Sequence, residues 1–184
     1  MWSIAYKLIS SQLQSESTME LELSLKLCKT LCEFKNLTRV VYYASDRPGW
    51  LSRYFFGGRL AQLVYKAKVD YHQTLTELFE DDQSFWCLLE SGRTLGFEAK
   101  VVPWLDFSST GRVVSSLSLL AYLVDHLDRH TDFSKDYNLE VICAPVCCRL
   151  KTLVEIQKLK FRQEETMREA LQEDQESEDT LLME

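Results

Sequence analysis

The chain has little of what marks most other protein classes. Only six glycines and three prolines occur in 184 residues, with 46% hydrophobic residues, which argues against a disordered or all-β protein. There is no basic excess: 21 Lys and Arg stand against 28 Asp and Glu, a formal charge of −7. Nothing gathers the cationic face that nucleic-acid binding needs. Long hydrophobic runs are missing as well, and the most apolar stretch, Val113–Val124, falls short of the ~18–20 residues that a bilayer span requires. Met1–Ser10 has neither the hydrophobic centre nor the cleavage site of a secretory signal. The six cysteines are therefore expected as free thiols in a reducing compartment.

Catalytic signatures are missing too. There is no glycine-rich phosphate loop, no nucleophile elbow and no paired-acid arrangement. His126 and His130 are four apart and would share one face of a helix. However, Leu127 stands where a zinc hydrolase motif has its glutamate, and no third ligand is evident. A metal site at His126/His130 is the weakest of the readings considered. Cys28/Cys32 and Cys143/Cys147 are also four apart, a spacing that suits small apolar fillers on amphipathic helices better than a zinc-binding turn. Neither an enzyme nor a cofactor is expected.

What the sequence does have is helical periodicity. Val113–Val124 is apolar or small on every side, as in a helix enclosed by other helices. Ser108, Ser109 and Thr110 supply the side-chain oxygens that start it. The expected fold is an all-α bundle around this hub, about Ser109–Asp125, followed by a charged loop over Asp125–Asp136. Upstream, Leu27, Leu31, Phe34, Leu37, Val41 and Ala44 recur at three- and four-residue steps. Ser45–Gly49 reads as a turn. The aromatic cluster Trp50–Phe56 is expected as a short helix capping the core, the alternative being a patch for a partner or a membrane surface.

Arg59–Phe79 carries a strong helical signal. Leu60, Leu63, Val64, Ala67, Tyr71, Leu75, Leu78 and Phe79 share one face, with Lys66, Lys68, Asp70 and Glu77 elsewhere. Glu80–Asp82 opens another helix, ended at Gly92. Leu139, Ile142, Cys143, Val146, Leu150 and Leu153 define a last core helix, interrupted or kinked by Pro145. The domain reading is 1–18, an N-terminal extension before a second methionine; 19–160, the helical domain; and 161–184, an acidic and largely disordered tail. Phe161–Glu184 holds nine acids and two bases.

With catalysis unsupported, recognition is the function class left. A groove between the hub and a neighbouring amphipathic helix would take the apolar face of a partner helix. Gly111 permits close backbone approach there, and Arg112 either offers a planar cation to an incoming acid or simply starts the helix on a solvated face.

The run Phe107-Ser-Ser-Thr-Gly-Arg-Val-Val-Ser-Ser-Leu-Ser-Leu-Leu-Ala-Tyr122 resembles the first homology region of Bcl-type apoptosis regulators. Trp50–Phe56, Ala61-Gln62-Leu63-Val64 through Asp70-Tyr71, Leu105–Ser108 with Gly111-Arg112, and Leu139–Arg149 extend the likeness to one branch. That branch is the adenovirus early-region small T antigens, the 19-kilodalton apoptosis suppressors, and the likeness spans about Met19–Leu153. It implies a Bcl-like bundle that binds host pro-apoptotic proteins of the Bak and Bax type, and other killer-helix proteins, and blocks mitochondrial permeabilisation. It implies a groove edged by Gly111 and Arg112, with Val113, Val114, Leu117 and Phe107 lining it and Leu63, Ala67 and Tyr71 as the opposing wall. Ala67 and Asp70 are separated where a killer helix has a small residue directly before the aspartate, so this chain is not expected to act as a killer-helix donor. The implied location is the host-cell cytoplasm, intracellular membranes and nuclear envelope. The acidic C-terminus departs from cellular relatives that end in a membrane span, so any membrane association is expected through partners, lipidation or the aromatic cluster. The alternative from another class is a helical scaffold whose groove is filled by its own side chains.

Overall fold

Val113–Val124 has no polar face to give to water, and the computed structural model, which describes residues 18–181, encloses it among other helices. Nine α-helices are present among the described residues: α1 (Thr18–Leu31), α2 (Phe34–Ala44), α3 (Trp50–Phe56), α4 (Gly58–Asp70), α5 (His72–Glu77), α6 (Gln83–Glu90), α7 (Leu95–Lys100), α8 (Thr110–His130) and α9 (Lys135–Leu181). A 3-10 turn, Val102–Trp104, follows α7. The all-α expectation holds. The part of the N-terminal extension before Thr18 lies outside the described residues.

Helix α8 is the hub. Every residue from Val113 to Asp125 is buried, and α1, α2, α4, α5 and α9 all pack on it, α4 most extensively. The serines among the buried positions have partners. Ser115 Oγ donates to the Gly111 carbonyl at 3.1 Å, Ser116 Oγ to the Asp106 carbonyl at 2.8 Å, and Ser118 Oγ to the carbonyls of Val64 at 3.0 Å and Val114 at 2.7 Å. Small hydroxyl side chains thus let neighbouring helices approach closely without leaving buried polar groups unpaired.

Local chemistry sets several boundaries as expected. Ser109 caps the hub, accepting from the Arg112 amide, and Asp82 caps α6, accepting from the Phe85 amide at 3.0 Å. Gly58 takes φ +71°, a conformation that suits glycine, and separates α3 from α4. The turn over Ser45–Gly49 is present. All six cysteines are free thiols. No helix among the described residues is long and apolar enough to cross a membrane.

Four expectations need correction. The hub does not end at Asp125 in a charged loop but runs to His130, because its late acids are paired: Asp125 with Lys68, and Asp128 with Arg47. The single helix expected over Arg59–Phe79 breaks at Tyr71 into α4 and α5. Its buried stripe is Ala61, Val64 and Lys68, whereas Leu63 is 54% exposed, so α4 is rotated from the orientation that hydrophobicity alone selects. The aromatic cluster does not cap the core, since no residue of α3 is buried. Helix α9 passes through Pro145 and continues to Leu181. After Pro145 the chain has no further glycine or proline to end it.

Candidate functional site

The start of the hub is stitched into its preceding loop by side chains rather than by regular structure. The Arg112 guanidinium donates through Nη1 to Asp106 Oδ2 at 3.0 Å and to Ser108 Oγ at 2.8 Å. Asp106 Oδ1 accepts from the Ser108 amide at 2.9 Å, and Ser116 Oγ accepts from the Asp106 amide at 3.0 Å. Arg112 is therefore partly engaged within the chain, although its Nε is buried with no partner. From the other side α1 closes over the loop: Ser24 Oγ donates to the Ser108 carbonyl at 3.0 Å, and Cys28 Sγ to that of Phe107 at 3.5 Å. Burial there pushes the Cys28 thiol up to about 11, which keeps it protonated and unreactive.

Two contacts fix how α4 lies against the hub. Ser118 reaches Val64, and Asp125 reaches Lys68. Residue numbers rise together on both helices, so they run in the same general direction. Leu63, Ala67 and Tyr71 follow at four-residue steps along α4. Leu63 is exposed and the other two are half-buried, which makes a ledge next to the hub rather than part of its core.

Only part of the expected groove is assembled on this ledge. Val113 and Leu117 have no exposed surface, Val114 is 8% exposed and Phe107 5%. These four are core residues in this conformation, and Phe107 lies beneath α1. Gly111 and Arg112 are half-buried at the rim. A cavity of ≈ 320 Å³ does touch Phe107, but on the side of Arg149 and Leu153 of α9, away from the α4 ledge. A second, of ≈ 590 Å³, lies between Glu98 and Val102 on one side and Tyr137, Val141 and Cys148 of α9 on the other. On the hub side, Val113, Val114 and Leu117 are covered by the chain's own packing.

The sequence reading missed a polar cluster that joins α4 to the hub. The Lys68 side chain, 3% exposed, pairs through Nζ with Asp125, itself 2% exposed, and with Asp46 at 2.7 Å. The Asp46 amide donates to Asp125 Oδ1 at 2.7 Å. Burial raises the Asp125 carboxyl above its ordinary value, with Lys68 acting in the opposite direction. Beside it, Arg47 grips Asp128 through two bonds of 2.5 and 2.7 Å, and Asn138 of α9 adds a third at 2.9 Å. Burial alone would raise Asp128, but the Arg47 and Asn138 bonds outweigh it and hold the group below the usual range. The available signal was Asp125, the first charged residue after the uncharged run Val113–Val124, which demands a buried cation from elsewhere.

His126 and His130 sit in an aromatic stack. The His126 ring lies 3.6 Å from Trp86, centroid to centroid, and 4.0 Å from His130. His126 Nε2 is 2.7 Å from Glu90 Oε1, and His130 Nδ1 is 2.8 Å from the His126 carbonyl. The rings face each other and two of their nitrogens are already used, an arrangement that does not converge on a common ion. Among the described residues no group of three His, Cys, Asp or Glu side chains is placed to hold a metal.

Burial lowers the His126 pKa from its ordinary value, with Glu90 offsetting this and His130 and Arg129 adding to it. The folded state thus prefers the neutral ring. Stability from this site is full above the unfolded value near 6.5 and is lost as pH falls through the lowered folded value. Thermal melts taken between about pH 7 and pH 5 should show this decline, and His126→Gln should remove that part of the pH dependence.

The comparisons with known proteins agree on one family. The model for adenovirus E1B 19K protein / small t-antigen matches residues 19–161. The chain is 35% identical over 144 residues to the E1B protein, small T-antigen, of human adenovirus B serotype 7, covering 72% of this chain and 81% of that one. The protein of the same name from human adenovirus E serotype 4 is 28% identical over 134 residues, 70% of this chain and 94% of the relative. That from canine adenovirus serotype 1 is 23% identical over 127 residues, 69% and 73% of the two chains. No solved structure matches.

Proposed function

The chain belongs to the adenovirus E1B 19K protein / small t-antigen family, and on that premise we propose that it is a viral inhibitor of host-cell apoptosis. In this reading it holds the killer helix of pro-apoptotic Bcl-family proteins of the Bak and Bax type beside its hub. Partner surface covered there is unavailable for permeabilising the mitochondrion. The work is done in the host-cell cytoplasm and at intracellular membranes, including the nuclear envelope.

One observation carries the reading: α4 runs alongside α8, with Val64 at Ser118 and Lys68 at Asp125, leaving Leu63, Ala67 and Tyr71 as a ledge beside the hub. A stripe of this kind, at four-residue steps, suits the apolar face of an incoming helix. Because Val113, Val114 and Leu117 are buried, a partner meets the ledge first and reaches these side chains only if α4 moves off the hub. The same burial favours a second reading, a non-enzymatic helical scaffold whose groove stays filled by its own side chains.

Titration of the purified protein with fluorescent killer-helix peptides of the Bak and Bax type separates the two. Saturable binding at micromolar affinity or tighter, weakened about tenfold or more by Leu63→Glu, is expected; tenfold corresponds to about 1.4 kcal/mol. Leu63 is exposed, so this change tests the ledge without disturbing the core. Arg112→Ala should weaken binding as well. If no peptide binds at high micromolar concentration, the groove reading fails and the scaffold reading stands.

A further inference from the structure

Helix α3 is built inside out for a water-facing surface. Trp50 is 73% exposed, Phe55 69%, Tyr54 66%, Phe56 60% and Leu51 52%. Its one charged residue, Arg53, points the other way: the guanidinium lies 3.5 Å from the Tyr65 ring centroid and donates to the carbonyls of Tyr43, Ser45 and Pro48. Five large apolar side chains on a seven-residue helix therefore face outward, while the cation anchors the helix to the body. Isolated exposed apolar residues need no explanation, but a contiguous group of this size marks a contact surface.

The rim of this patch is basic in an acidic protein. Arg39 lies beside it, donating through Nη2 to the Phe56 carbonyl at 3.2 Å. Arg59 follows directly on α4, and Leu63 and Lys66 share its face at helical spacing. Arg39, Arg59 and Lys66 are exposed, and none of them makes an ion pair among the described residues. Trp and Tyr with a polar tip, Phe and Leu beneath, and free cations around them are the composition that settles at a bilayer interface. A partner helix would need a concave seat, whereas α3 stands proud between Gly49 and Gly57-Gly58 with nothing of its own buried.

We propose that α3 is a membrane-docking element: Trp50, Leu51, Tyr54, Phe55 and Phe56 enter the interfacial layer of an anionic bilayer while Arg39, Arg59 and Lys66 meet its headgroups. This surface adjoins the α4 ledge at Leu63, but its apolar members are those of α3, and it does not depend on a partner being bound at the ledge.

The test uses the purified full-length chain, without partners or lipidation, and vesicles of phosphatidylcholine with and without phosphatidylserine, scored by co-sedimentation. The wild type is expected to bind the phosphatidylserine vesicles, less so at high salt. Trp50→Ser with Phe55→Ser should lower the partition coefficient about tenfold or more, with an unchanged melting temperature because both side chains are already exposed. Arg59→Glu with Lys66→Glu should abolish the preference for phosphatidylserine. Absence of wild-type binding, or equal binding by the wild type and the serine variant, would overturn the proposal. So would sedimentation showing a dimer in solution that the serine variant dissolves, because the patch would then belong to a second copy of the chain.

Discussion

Lys68→Ala is expected to destabilise the fold by about 3–5 kcal/mol, the range for removing one partner of a buried ion pair. Asp125 is 2% exposed, and without Lys68 it keeps only the Asp46 amide as a polar neighbour from the chain preceding α3. The size of the loss reflects a carboxylate stranded in a poorly solvating interior, not the net worth of the pair. Two further results follow from that physics. Lys68→Met combined with Asp125→Leu should recover most of the stability, because neither charge is then left alone. The deficit of the single variant should also depend on pH. Burial already raises the Asp125 carboxyl, and removal of Lys68 raises it further. A raised folded value means stability is retained at low pH and lost as pH rises through it, so Lys68→Ala should lie closest to the wild type in acid. Urea unfolding at two pH values measures both effects. An alanine variant as stable as the wild type at neutral pH would show that the pair is not buried.

The same residue explains what could and could not be read from the sequence. The hub was legible because Val113–Val124 has no charged residue, and its start was legible because Ser109 is a local cap that needs only its own helix. The start of α6 at Asp82 was legible for the same reason. The rotation of α4 was not. Periodicity assigns Leu63 inward and Lys68 outward, and only the carboxylate of Asp125, 57 residues further along the chain, reverses that. The outward face of α3 was hidden in the same way. Aromatic residues are buried on average, but here Arg53 takes the inward side through carbonyls of the preceding turn. The candidate groove was half legible. The pattern places Val113, Val114 and Leu117 on apolar faces of the hub, yet it cannot tell a groove floor from a core, because both ask for the same side chains.

Phe79→Ala should have a comparable effect, about 3–5 kcal/mol. Phe79 has no exposed surface and joins α5 to α6 through an aromatic group that reaches the hub. Its ring stacks on Phe85 at 4.9 Å, meets Trp86 at 5.1 Å and faces Tyr122 of α8 at 6.3 Å. Its carbonyl accepts from Trp86 Nε1 at 3.2 Å, a bond that uses the backbone and so survives the substitution. What is lost is the ring, and three aromatic neighbours then border a cavity too rigidly framed to collapse. The connection continues outward, since Trp86 stacks on His126 and Tyr122 contacts His72 at 5.7 Å. Near-ultraviolet circular dichroism should therefore lose intensity along with stability. A dry cavity walled by aromatic rings should also take up a small apolar solute. Benzene is accordingly expected to raise the melting temperature of Phe79→Ala and leave the wild type unchanged, as binding to the folded state alone requires. A variant that loses stability without gaining any benzene response would mean that α5 and α6 have closed over the space. In that event the ledge bordered by Tyr71, at the join of α4 and α5, should change its affinity for a helical peptide as well.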